Sequence, residues 1–230
     1  MSLLNIFSFI FYFRKKFAFL KYLMWIISPT KILAGLIKNN SWKKFKNQSK
    51  VNYKSRAKFY SIIFLNRFYF FISLLTIVII FFKIYQPDYF IQFFLGWLIL
   101  SRCNEIFLAF IRDAFDKLDN PHKKGILTYK GRLHLAFISY LELILNFAIL
   151  YFLLYTNHIN TIAITGIKDI IDAIYFSGTT ITTLGYGDIL PTQWYTKLLT
   201  TYEVICGFTL LLVSFTIYTT RATEIPNKSS

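Results

Sequence analysis

The stretch Thr182-Thr183-Leu184-Gly185-Tyr186-Gly187-Asp188 decides how this chain is read. Two glycines flank a tyrosine. Before them lies an apolar run, Asp169 to Thr183, with the length of a short helix and too short to cross a bilayer. After them Trp194 to Tyr218 is long enough to cross. The loop between them therefore sits at membrane depth, where irregular backbone is tolerated only if it lines a watery path or is buried in protein. Glycine reaches backbone angles closed to other residues. A Gly-x-Gly run can thus aim successive carbonyls one way, and carbonyls aimed at an axis can replace the water shell of a dehydrated cation.

Composition agrees with a membrane setting. Of 230 residues, 55% are hydrophobic and only 16% charged, with a mean hydropathy of +0.47. Soluble domains carry about 25% charged residues. Disorder requires low hydrophobicity, and two cysteines, Cys103 and Cys206, cannot staple a secreted domain of this size. Within apolar spans both cysteines read as small apolar residues. His122, His134 and His158 lack metal-ligand spacing, and no catalytic or nucleotide motif is present, so neither an enzyme nor a cofactor is expected.

Four segments can span a bilayer: Ser61 to Phe82, Tyr89 to Ile111, Leu133 to Leu154 and Trp194 to Tyr218. The net charge of +15 could mark a nucleic-acid binder, but its distribution fits a membrane surface better. Residues 1–60 hold thirteen Lys or Arg and no acid. The loop Arg112–Arg132 holds six, whereas Lys83–Asp88 and Tyr155–Lys168 hold one each. The positive-inside rule puts both termini and the middle loop in the cytoplasm, and residues 155–193 outside. The expected location is the plasma (inner) membrane. Residues 3–27 form two apolar runs split by Arg14-Lys15-Lys16, without the layout of a signal peptide. They read either as a helix in the interface plane on anionic lipid or as a disordered basic tail.

Beyond this point the sequence resembles the tetrameric potassium channel family. Thr182 to Asp188 looks like its selectivity filter, with Leu184 where Val is usual, and Phe176-Ser177-Gly178-Thr179-Thr180-Ile181 looks like its pore helix. Tyr175 and Phe176 fall at the aromatic cuff, Asp188 and Pro191 at the filter exit, and Gly207 at a gating-hinge position. The resemblance runs from about Leu133 to Arg221. It implies that the carbonyls of Thr183, Leu184, Gly185 and Tyr186, with the Thr183 hydroxyl, line K⁺ sites, that Gly187 belongs to the same ring, and that Thr182, Asp188, Tyr175 and Phe176 support it. It also implies a homotetramer, since four copies close the ring. The one pore loop, the acid after the filter and the absence of regularly spaced Arg or Lys in a span set the chain apart from two-pore-domain, inward-rectifier and voltage-sensing types.

The expected fold is an all-α membrane protein with four transmembrane helices, a re-entrant pore helix and a filter loop. Its parts are a basic arm (1–60), a two-helix hairpin and loop (61–132), a pore domain (133–221) and a short tail (222–230). The function implied is a potassium-selective channel subunit. A weakly selective cation channel and a non-conducting membrane scaffold are the alternatives.

Ionisable residues inside spans are functional candidates. Arg102 and Glu142 lie at matched depth, roughly 14 Å from the inner ends of their helices. They form a pair, or Arg102 pairs with Glu105 on its own helix, or the charges snorkel separately. Glu203, one turn before Gly207, is expected to be buried and hydrogen-bonded in a structural or a gating role. Phe208, Leu211, Phe215 and Thr219 form a stripe that either lines the inner pore, with Phe215 as a dewetting constriction, or packs as an ordinary helix face.

Overall fold

The computed structural model describes residues 51–82, 88–119, 129–156 and 163–211. The arm 1–50, Phe215, Thr219 and the tail lie outside the described residues.

Among the described residues, five helices and one small hairpin follow in order: α1 (Val51–Phe81), α2 (Tyr89–Asp119), α3 (Tyr129–Thr156), β1 (Ile164–Thr165), α4 (Ile170–Ile181), β2 (Leu190–Pro191) and α5 (Trp194–Phe208). The fold is that of an all-α membrane protein. Among the described residues, three helices are long and apolar enough to cross a bilayer, over Ile63–Phe81, Tyr89–Asp113 and Gly131–Tyr155. α1 starts at Val51, ahead of the first predicted span, and α2 and α3 also run past the predicted ends. α5 begins at Trp194, where the fourth predicted span begins, and passes into a wider π turn at residues 209–211. The last seven residues of that span, 212–218, lie outside the described residues.

Burial places α3 at the centre. Leu143, Phe147, Ala148, Ile149 and Tyr151 are all fully buried. They pack with Ala173 and Phe176 of α4, Cys206 and Leu210 beside α5, and Cys103 and Ile106 of α2. α1 and α2 keep an exposed apolar face, including Phe64, Phe71, Phe90 and Phe93, as a lipid-facing helix must.

Polar rungs fix how α1 lies on α3. Ser139 Oγ donates to Asn66 Oδ1 (3.2 Å), and Ser73 Oγ donates to Asn146 Oδ1 (2.7 Å). Both rungs join residues 73 apart in the chain, so the two helices run parallel. Parallel direction is what two spans entering from the same side require. Gly96 of α2 faces Leu150 and Leu153 of α3.

Candidate functional site

The site is built from α4 outward. Asp169 caps α4, its Oδ1 accepting from the backbone N–H of Ile171 (2.8 Å) and Asp172 (3.0 Å). Asp172 Oδ2 accepts from the Lys168 N–H (2.8 Å). Two carboxylates therefore hold the N-terminal, positive end of a short helix. The opposite end, with its unsatisfied carbonyls, points into the loop.

That loop satisfies those carbonyls in an informative way. The N–H of Thr183 donates to Thr180 O (2.9 Å), and the N–H groups of Leu184 and Gly185 donate to Thr179 O (2.9 and 3.2 Å). Thr182 Oγ1 donates to Gly178 O (2.6 Å). The amides of the loop thus turn back toward the helix, and its carbonyls turn away. Among the described residues no hydrogen bond is made to the carbonyls of residues 183–187.

Backbone handedness alternates along the same residues. φ is +61° at Thr183, +52° at Gly185 and +82° at Gly187, while Leu184 and Tyr186 keep negative φ. An extended strand sends successive carbonyls to opposite sides. Alternating signs of φ can cancel that alternation and bring the carbonyls to one side. Thr183 is the one non-glycine residue with positive φ among the described residues. A β-branched residue there is a strained outlier, costing roughly 1–2 kcal/mol. Strain of this kind persists where the surrounding structure holds it and where function uses it.

The exit of the loop is held as well. β1 pairs antiparallel with β2, Ile164 opposite Pro191 and Thr165 opposite Leu190. Thr192 N–H donates to Ala163 O (3.1 Å), and Thr196 Oγ1 reaches the same carbonyl (3.0 Å). Gly166, with φ +95°, approaches the Asp188 carbonyl so closely that an added Cβ would sit 2.9 Å from it. The Tyr175 and Tyr186 rings stack at 6.2 Å with planes 5° apart. Phe176 turns the other way, inward, and meets Tyr151 of α3 at 4.8 Å. So Tyr175 braces the loop itself, and Phe176 braces α4 against the core.

Behind α4 sits Glu203, fully buried. Tyr151 of α3 donates to its Oε2 (2.5 Å), and Ser177 of α4 is hydrogen-bonded to its Oε1. One turn on, Gly207 is also buried. A Cβ there would meet Ile181 Cγ1 at 2.4 Å and the Ile181 carbonyl at 2.9 Å. The missing side chain lets α5 touch the end of α4, and the departure from α-helical geometry comes after it, at 209–211. Such turns are frequent at functional sites. Phe208 and Leu211 are exposed on the single chain.

The intramembrane charges form one cluster. Arg102 Nε donates to Glu142 Oε1 (2.7 Å) and Nη2 to Glu142 Oε2 (3.1 Å). Nη2 also donates to Asn66 Oδ1 (3.0 Å), and Nη1 lies 3.1 Å from Glu105 Oε2. Tyr69 offers its ring face at 4.2 Å. The two pairings open from the sequence are therefore both present, with Glu142 gripped from two nitrogens. Such forked contacts are the strong form of the interaction. Two residues beyond Arg102, Asn104 Oδ1 accepts from the Tyr202 hydroxyl of α5. Where the end of α2 meets the start of α3, Arg132 donates to Asp113.

Sequence reading missed the partners. Tyr151, Ser177, Asn66, Ser139, Tyr69, Asn104 and Tyr202 were not singled out. The available signal was a polar side chain inside an apolar run, since in lipid such a group has to find a partner within the protein.

Residues 139–224 match the family model described as an ion channel. No curated protein and no solved structure matches the chain. The match spans most of α3, the loop and α5, and leaves α1 and α2 outside it. Residues 139–224 are thus similar to an ion channel domain, within a helical membrane protein.

Proposed function

We propose that this ion channel is potassium-selective and that four copies close its pore. The observation that carries the reading is the loop at 183–187, with alternating handedness, amides turned back to α4 and carbonyls left without donors. Four such loops around an axis would stack rings of carbonyls from Thr183, Leu184, Gly185 and Tyr186, with the Thr183 hydroxyl below them. Such rings replace the hydration shell of a dehydrated cation. The sequence Thr183-Leu184-Gly185-Tyr186-Gly187 resembles the potassium filter closely, and this resemblance supplies the ion.

The membrane orientation that suits this reading puts residues 155–193 outside and both termini in the cytoplasm, in a plasma membrane. The thirteen basic residues of the arm 1–60 suit anionic lipid on the inner face. Purified chain in liposomes should pass K⁺ well ahead of Na⁺. Equal K⁺ and Na⁺ flux would sink the selectivity. A chain that assembles and passes neither would be a scaffold.

A further inference from the structure

Two carboxyl groups are fully buried among the described residues, Glu142 and Glu203. Glu142 faces a base, Arg102. Glu203 does not. The titratable groups near it are the Tyr140 and Tyr151 hydroxyls of α3, the Cys103 thiol of α2 and the Cys206 thiol of its own helix. From α4 it meets only the Ser177 hydroxyl. None of these is a cation.

Counting hydrogens sharpens the point. Ser177 Oγ lies within hydrogen-bond distance of two acceptors at once, the Ile144 carbonyl at 2.9 Å and Glu203 Oε1. A serine hydroxyl carries one proton. Both bonds form together only if the second hydrogen comes from the other partner. The Ile144 carbonyl has none to give. A protonated Glu203 has one. Tyr151 then fills the remaining oxygen as a donor. An ionised carboxylate in this place would have two hydroxyl partners and no counter-charge, and burying it so costs far more than the two bonds return.

We propose that Glu203 is a neutral acid that donates to Ser177, and that it acts as a positioning residue pinning α5 to α4 behind the loop. Ser177 in turn donates to Ile144, so one proton ties α5, α4 and α3 in series. When Glu203 gives its proton to water, Ser177 must turn its only hydrogen to the carboxylate, and the bond to α3 is lost. The protonated form holds the filter's support, so that support is present at lower pH and lost as pH rises. Ile181, the last residue of α4, packs on Gly207 one turn along α5 and leads into the loop, so a shift of α4 released from α3 reaches the base of the loop directly.

The test uses the full chain in lipid vesicles and has two arms. Infrared absorption at neutral pH should show a protonated carboxyl band that disappears in Glu203→Gln. Ser177→Ala keeps the acid but removes its acceptor, and should shift the band. An identical protonated-carboxyl band in wild type and Glu203→Gln overturns the proposal. If Glu203→Gln does not assemble, an unshifted band in Ser177→Ala overturns it. The second arm rests on the channel reading. K⁺ flux should fall several-fold in wild type as pH rises, while Glu203→Gln, which mimics the neutral acid in shape and hydrogen bonds, keeps K⁺ preference and a flat profile. Equal pH profiles overturn the switching part. A wild-type chain that does not conduct refutes the channel reading alone, because the infrared arm needs no flux.

Discussion

Arg102 and Glu142 meet in a forked pair between α2 and α3, Nε to Oε1 at 2.7 Å and Nη2 to Oε2 at 3.1 Å. Removing Arg102 leaves Glu142 buried without its counter-charge, at a cost of about 3–5 kcal/mol; removing Glu142 leaves Arg102 with Glu105 and costs less. Arg102→Leu and Glu142→Leu should each lower thermal stability in detergent. The double variant should be less destabilised than the sum of the two. Additive losses would show that the pair is not coupled. Simple charge reversal is a poorer test, because Glu105, Asn66 and Tyr69 also recognise a guanidinium at position 102.

Gly207→Ala should abolish conduction in assembled protein. Its Cβ would fall 2.4 Å from Ile181 Cγ1 and 2.9 Å from the Ile181 carbonyl. The first clash can be relieved by Ile181→Ala; the second involves backbone and cannot. The double variant should therefore recover only part of the flux. Full flux in Gly207→Ala alone would contradict the close approach.

Gly185→Ala and Gly187→Ala meet no neighbouring atom within the chain, so their cost is conformational. At φ +52° and +82° an L side chain is strained by roughly 1–2 kcal/mol per residue. Either change should lower K⁺ preference over Na⁺ in liposome flux while leaving the chain folded. Unchanged selectivity in both would remove the loop from the conduction path.

Asp169→Ala should destabilise α4 by about 1 kcal/mol, since the cap loses two backbone donors' partner. Asp169→Asn keeps an accepting oxygen and should retain most of that stability. Hydrogen exchange at the first turn of α4 reads the difference. Equal exchange in the two variants would mean that the charge, not the cap, matters there.

Tyr202→Phe keeps the ring packed against Phe107 and Phe147 and removes only the hydroxyl that donates to Asn104. A loss of about 1 kcal/mol in thermal stability is expected. No loss would mean that α2 rests on α5 through apolar contact alone.

Periodicity and length made much of the fold legible. Long apolar runs announced α1, α2 and α3 because lipid leaves few other solutions for twenty such residues. Gly185-Tyr186-Gly187 announced the loop because two glycines at membrane depth are rarely idle. Asp169 announced the start of α4 by its position before an apolar run. The rest depended on rotation of one helix about its axis against another, which a single sequence does not encode visibly. Matched depth raised Arg102 with Glu142, yet nothing in the spacing said that Asn66 and Tyr69 would converge on the same guanidinium. The close approach of Gly207 to Ile181 was equally hidden, because a glycine that allows contact and one that allows bending are the same letter.

α5 is in effect a lever with one clamped arm. Tyr202, Glu203 and Gly207 bolt its outer part to three different helices within two turns. Bending in that part would have to break all three attachments together. The fulcrum therefore lies past Phe208, where the coil widens at residues 209–211. A bend of this helix beyond that point leaves its attachments to α2, α3 and α4 intact.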